Sequence, residues 1–193
     1  MTTETSIAIR NGVDIQAILD ARTALTEDPE AGRFVWRAAC EWIDGIHSRS
    51  MIEGFFGLGE EQKHNRVFKI DADHPPQFAA SDEGATPVEI VLSALASCLM
   101  GGVASIAANR GIHLKSAKAK VEGDMDLAGV LGIDPDVRNG FKDIRIDFDI
   151  DANATDDEIA ALVAQSQKRS AVFDIITNPS MVRVQTKRSS PQS

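Results

Sequence analysis

The sequence predicts an α+β fold in which antiparallel sheets surround one long buried central helix. Twenty consecutive residues, Ile90 to Asn109, carry no charge, so a helix over them must either be enclosed by protein or lie in a membrane. Alternation of apolar and polar residues precedes and follows that run without repeating as β-α-β units, which marks α+β rather than α/β. Two T-x-x-E segments, Thr86 to Glu89 and Thr155 to Glu158, mark helix starts. In each, a hydroxyl and a carboxylate satisfy the first free N–H groups.

In order along the chain, Val13, Ala17, Ile18, Ala21 and Leu25 recur at helical spacing and predict a short amphipathic helix over residues 13–27. Residues 1–32 read as an N-terminal helical appendage, 33–187 as the main domain and 188–193 as a flexible tail. Phe34, Trp36, Ala38, Cys40 and Trp42 fall on alternate positions, which predicts a strand with one buried face and Cys40 in the core. After Gly45, HSRSMIEGF continues extended, with His47, Arg49, Met51 and Glu53 on one face. GFFGLGEE reads as a glycine-rich loop; it has neither the strand-to-helix setting nor the trailing lysine of a phosphate loop. RVFKID is a short strand, and the proline-rich DADHPPQFAASDEGA leads into the central helix.

That helix starts with Thr86 as N-cap and Pro87 in the first turn, where its missing N–H costs nothing, and ends near Arg110 before Gly111. Beyond it, Ala117, Ala119, Val121, Gly123, Met125 and Leu127 share one strand face, and Ile144, Ile146, Phe148 and Ile150 share another. Thr155 opens a helix that turns Ile159, Leu162 and Val163 inward, Ser170 caps a further short helix over AVFDII, and MVRVQTK closes as a last strand.

Composition removes several function classes. A chain of 193 residues suits one globular domain, and 29 acidic against 20 basic residues, net −9, repel a phosphate backbone, so no nucleic-acid partner is expected. Ser93, Ser97, Ser105, Asn109 and Gly101-Gly102 dilute the uncharged run, and no excess of Lys or Arg flanks it, so no membrane partner is expected either. The opening MTTETSIAIRNGVDIQ lacks the plan of an export signal, and Cys40 and Cys98 form no disulfide framework. Both features suit a cytoplasmic protein with free thiols. His47, His64, His74 and His113 lack metal-ligand spacing, DMDLAGVLGIDPD lacks calcium-loop spacing, and no metal or cofactor is expected.

The segment G-x-T-P-x-E over Gly84 to Glu89, followed by a small-residue apolar helix with Cys98 eleven positions after Pro87, resembles the signature of the OsmC/Ohr family. GIHLKSAKAKVEGDMD resembles that family's strand after the central helix, and QSQKRSAVFDIITNPSMVRVQT its closing helix and strand. The likeness spans residues 33–187, and the loop LAGVLGIDPDVRNG looks like a subgroup feature. It implies an OsmC-like fold and an intertwined homodimer whose reactive cysteine lies on the central helix near the interface. In peroxidase members that cysteine reduces organic hydroperoxides. There an arginine from the N-terminal strands and a glutamate early in the helix hold the thiolate, and a second cysteine resolves the sulfenic acid.

Carried over by residue, Cys98 takes the reactive position. A mid-helix thiol in apolar surroundings needs a cation to ionise; Arg49 is the candidate, with His47 as alternate, although both could simply face solvent. The family glutamate directly follows the proline, where this chain has Val88. Glu89 comes one residue later, about 180° around an ideal helix from Cys98, so it is a catalytic candidate only by a different route and the capping role is favoured. Ser170 stands where the resolving cysteine would be and cannot form a disulfide, so an oxidised Cys98 would require an external thiol reductant. Two readings remain. One is a thiol-dependent reductase of small organic hydroperoxides; the other is a non-enzymatic dimer that binds a small hydrophobic ligand in its interface cleft, with Cys98 as a packing residue.

Overall fold

Asn11 and Gly12 both have positive φ, 52° and 74°, and make the two-residue turn that joins β1 (Ile9–Arg10) to β2 (Val13–Asp14). Asn-Gly is the dipeptide such a hairpin prefers, because asparagine and glycine tolerate the left-handed region best. The computed structural model describes residues 9–188; residues 1–8 of the expected appendage and 189–193 of the expected tail lie outside the described residues. Asp14 caps α1 (Ile15–Glu27) by accepting the Ala17 N–H, and none of the α1 residues is buried. The Asn11 side chain donates to the Ile112 carbonyl at 2.9 Å and accepts the Leu114 N–H at 3.0 Å. One amide group thus fastens the N-terminal segment to the main domain.

The next four strands form one antiparallel sheet: β3 (Val35–Trp36), β4 (Ala39–Asp44), β5 (His47–Gly57) and β6 (Glu60–Ala72). β3 and β4 lie end to end along one edge of β5, and β6 runs along the other. The segment expected as a glycine-rich loop is instead a tight hairpin, with Leu58 and Gly59 at φ 55° and 81° and both flanks in strand. A bulge between Ile52 and Gly54 interrupts the β5–β6 ladder. The expected buried face is not formed: Trp36 is 67% and Trp42 70% exposed, and Cys40 is exposed rather than in the core. The reason is non-local. Among the described residues no helix packs extensively on this sheet, so alternation found no cover; Trp36 lies against the rings of Phe34 and Phe55, at ring separations of 5.4 and 4.6 Å.

The central helix α2 runs over Pro87–Arg110, with the Thr86–Glu89 capping box at its start and Gly111 in left-handed conformation (φ 74°) at its end. Beyond it β7 (Leu114–Asp124) pairs antiparallel with β8 (Asp143–Ala152), and the connection between them holds a short α3 (Leu127–Val130). Leu127 therefore leaves the strand face on which alternation placed it. Two helices follow, α4 (Asp156–Arg169) capped by Thr155 and α5 (Ala171–Thr177) capped by Ser170. α2 packs against α4, α5 and β7, and Leu162 of α4 closes the core with Ile106, Ala107 and Ile112. Burying one leucine side chain contributes about 2 kcal/mol.

α2 is long and apolar enough to cross a bilayer, yet its packing partners make it the core helix of this fold. Its burial is one-sided: Leu95, Leu99, Val103, Ile106, Ala107 and Ala108 are buried, while Val88 and Val91 stay exposed. The closing strand expected over MVRVQTK is absent. Residues 181–188 form no strand, and Met181, Val182 and Val184 are each at least 80% exposed. Alternation supplies only a propensity, and a strand also needs a ladder partner, which this segment does not have among the described residues.

Candidate functional site

The approach of α2 to α4 builds the surroundings of Cys98. At Gly102 the helices are so close that an added Cβ would lie 2.2 Å from the Ser166 hydroxyl. Ser166 is 1% exposed and donates to the Leu99 carbonyl at 2.6 Å. Four residues before Gly102 lies Cys98, and four after Ser166 lies Ser170, so one helical turn separates the two contacts. The Ser170 hydroxyl donates to the Cys98 Sγ at 3.1 Å. As N-cap of α5 the same oxygen accepts the Phe173 N–H at 3.1 Å, which occupies a lone pair and leaves its proton free for the sulfur. Burial pushes the Cys98 thiol up, but the Ser170 hydroxyl and the N–H groups of Val172 and Ala171 outweigh it and leave the thiol below its ordinary pKa. Cys98 is only partly buried, and its thiol ionises more readily than that of an ordinary cysteine.

The other candidates group elsewhere. Arg49 Nε donates to Asp71 Oδ1 at 2.9 Å, and His47 Nε2 lies 2.8 Å from the same oxygen. Register explains the cluster, since Arg49 and Asp71 are direct partners across β5 and β6. His47, then Arg49, hold the Asp71 carboxyl below the usual carboxylate range. Among the described residues no hydrogen bond joins Arg49, His47 or Glu89 to Cys98. Glu89 Oε2 instead accepts from the Thr86 hydroxyl at 2.7 Å and the Thr86 N–H at 2.8 Å, which lower its pKa. Cys98 and Ser170 therefore meet; Arg49 and His47 meet each other through Asp71; Glu89 stands alone at the helix start.

Several contributors escaped the sequence reading. Asp71 was signalled only by the parity of RVFKID against the facing strand. Gly102 and Ser166 carry a visible sign, small residues one turn from Cys98 and Ser170, but their contact depends on the crossing of two helices. Asp73, buried at 1% exposure, accepts the N–H groups of Ser81 and Glu83 and so fixes the loop that delivers the chain into α2. Among the described residues no group of three or more His, Cys, Asp or Glu could hold a metal ion.

Residues 80–185 match the family described as OsmC-like protein. Comparison with curated proteins finds no match. Among solved structures, an OsmC-like protein from Mycoplasma pneumoniae superposes with a TM-score of 0.57 at 17% identity, over 75% of this chain and 88% of that one. A Legionella pneumophila protein described as an organic hydroperoxide resistance protein OsmC and predicted redox protein superposes at 0.51 and 16% identity, over 74% and 90%. At these identities the likeness is one of fold.

Proposed function

The chain belongs to the OsmC-like protein family, and from that premise we propose that it is a thiol-dependent reductase of organic hydroperoxides acting through the single cysteine Cys98. The observation that carries the proposal is the pair of Cys98 and Ser170: a reachable sulfur on the central helix that receives a hydroxyl donor at 3.1 Å. The thiolate attacks the terminal oxygen of R–O–OH. The O–O bond breaks, sulfur is oxidised to sulfenic acid, and the alkoxide takes a proton from solvent to leave as alcohol. Ser170 cannot resolve the sulfenic acid. An external thiol therefore displaces water to form a mixed disulfide, and a second thiol releases Cys98 as thiol and leaves with the first as a disulfide.

In this reading the working unit is a homodimer, and the cation that Cys98 lacks among the described residues of its own chain is Arg49 of a second copy. Three features support it: the exposed side of α2, the sheet that no helix covers, and the unpaired segment 181–188. Each is apolar or strand-like surface without a layer against it. Glu89 serves as cap and His47 orients Arg49 through Asp71.

The second reading is a non-enzymatic dimer that holds a small hydrophobic ligand. It is favoured by the absence of any bond from Arg49 or Glu89 to Cys98 within one chain, among the described residues. Consumption of cumene hydroperoxide with dithiothreitol or dihydrolipoamide separates the two. Turnover by the wild type that disappears in Cys98→Ser supports the reductase; equal, background rates for both leave the ligand-binding reading.

A further inference from the structure

Asn-Gly occurs twice in the chain, at Asn11-Gly12 and at Asn139-Gly140. Glycine after asparagine leaves the next peptide nitrogen without a neighbouring Cβ, so that nitrogen can reach the side-chain amide carbon. The fold treats the two pairs oppositely. Asn11 is held through both side-chain polar atoms, to the Ile112 carbonyl and the Leu114 N–H, and those bonds fix its amide on the main domain. Asn139 is exposed and lies in the irregular connection between α3 and β8. That connection is tied on either side of it, by the Val137 N–H to the Asp134 carbonyl at 3.3 Å and the Lys142 N–H to the Asp124 carbonyl at 2.7 Å. Between those ties, among the described residues, no hydrogen bond engages the Asn139 side chain or the Gly140 N–H. The amide and the nitrogen that would attack it are both uncommitted, on a loop open to water.

We infer that Asn139 is a modification site of the folded protein, where the Gly140 nitrogen closes a cyclic imide on the Asn139 side chain and water then opens it to an aspartyl or isoaspartyl residue. The Gly140 nitrogen gives up its proton and attacks the Asn139 Cγ. A C–N bond forms, the Cγ–Nδ2 bond breaks, and the amide nitrogen leaves with a proton as ammonia. Water then adds to either imide carbonyl. Addition at Cγ restores the normal backbone with a side-chain carboxylate, whereas addition at the main-chain carbonyl leaves the chain running through Cβ and Cγ. Either way a neutral amide beside Arg138 becomes an anion. The second product also lengthens the main chain by one methylene. The Val137 carbonyl, the Asn139 Oδ1 at 2.8 Å and the Arg138 carbonyl at 3.1 Å crowd the place that a Cβ on Gly129 would take, so segment 137–139 rests on the α3 backbone. A longer chain cannot keep that contact. The free α-carboxylate it carries is the group that an isoaspartyl methyltransferase esterifies, which makes this loop a substrate for that class of repair enzyme. None of these steps depends on a reaction at Cys98.

Ageing the full-length protein at mildly alkaline pH in isotopically labelled water, with peptide mapping at intervals, tests it. In the folded protein, label and the amide-to-acid mass change should accumulate at Asn139 at least about tenfold faster than at Asn11, because the Asn11 clamp must open before its amide can react. In urea the two rates should converge to within about threefold. A purified isoaspartyl methyltransferase should transfer labelled methyl groups to the aged wild type. Asn139→Gln, on an exposed side chain, should lose most of that transfer while circular dichroism stays unchanged. Gly140→Ala, whose added Cβ would meet only the Arg138 side chain, at 3.4 Å, should likewise lose most of the modification and keep the fold. Equal rates at Asn11 and Asn139 in the folded protein, labelling of Asn139 only after unfolding, or full methyl transfer to aged Asn139→Gln would each overturn the assignment.

Discussion

Gly102→Ala puts a methyl group where α2 and α4 touch, and its effect should be felt at the neighbouring sulfur. The added carbon would lie 2.2 Å from Ser166 Oγ and 3.0 Å from Ser166 Cβ. Ser166 is buried and committed to the Leu99 carbonyl, so it can neither stay nor turn away without cost. Overpacking costs about 1–3 kcal/mol, and a buried hydroxyl turned from its acceptor about 1–3 kcal/mol more. Against this, alanine is favoured over glycine inside a helix by about 1 kcal/mol. The balance is a loss of about 3 kcal/mol, or about 9 °C in Tm for a chain of this size. If α4 moves outward to relieve the contact, Ser170 moves with it, and the 3.1 Å bond to Cys98 lengthens. The variant should therefore alkylate more slowly with iodoacetamide at neutral pH. Urea denaturation at fixed protein concentration, with alkylation followed by intact mass, measures both effects. Ser166→Gly in the same chain should recover at least about 1 kcal/mol of the loss, a coupling that a double-mutant cycle reads directly. A Gly102→Ala protein within about 0.5 kcal/mol of wild type and equally reactive would refute the idea that this crossing sets the site.

Because hydrogen bonds to the sulfur hold the Cys98 pKa below the ordinary thiol value, its thiolate fraction, and with it the alkylation rate, should reach half its maximum at a lower pH in the folded protein than in the urea-unfolded chain. Coincident pH profiles would remove Ser170, Ala171 and Val172 from the site. Stoichiometric cumene hydroperoxide should add one oxygen to Cys98 in the wild type, whereas Ser170→Cys should instead lose two hydrogens as Cys98 forms a disulfide with the introduced thiol, detected by intact mass before and after dithiothreitol. Light scattering at micromolar concentration should give a dimer, and a stable monomer would count against the proposed source of the cation. Asn11→Ala should cost about 1–2 kcal/mol in urea denaturation, since it strips partners from the Ile112 carbonyl and the Leu114 N–H together.

What could be read in the sequence was what neighbouring residues decide among themselves. Both T-x-x-E boxes, the proline in the first turn of α2 and the stop at Gly111 are local, and all of them form. The alternation of β7 and β8 was legible because those strands pair with each other and β7 lies against α2. The alternation from Phe34 to Trp42 was as clear, but a buried face requires a second layer, and among the described residues no helix packs extensively there. MVRVQTK failed for a related reason, as it has propensity without a partner. At the candidate site, Cys98 and Ser170 were legible as positions in a pattern, whereas their contact depends on a glycine at a helix crossing 64 residues from the serine it meets. Asn11-Gly12 carries a hairpin signal that the helical spacing just beyond it obscures. The hairpin at Leu58-Gly59 was hidden because leucine seldom accepts positive φ.

The Asn11 clamp has a consequence for the outer margin of the β7–β8 pair. The His113 carbonyl accepts the Asn153 N–H, and the His113 N–H donates to the Asn153 side chain, so His113 faces the β8 side. The Ile112 carbonyl and the Leu114 N–H consequently face the opposite margin, and that is the pair Asn11 engages. A side-chain amide has the same donor and acceptor as a peptide unit, and here it fills the place that the first residue of an adjoining strand would take. Any segment that adds itself along β7 finds this berth occupied and must begin its ladder beyond Leu114. The asparagine thus acts as a doorstop, limiting from which residue, and hence in which register, a newcomer can zip onto the edge.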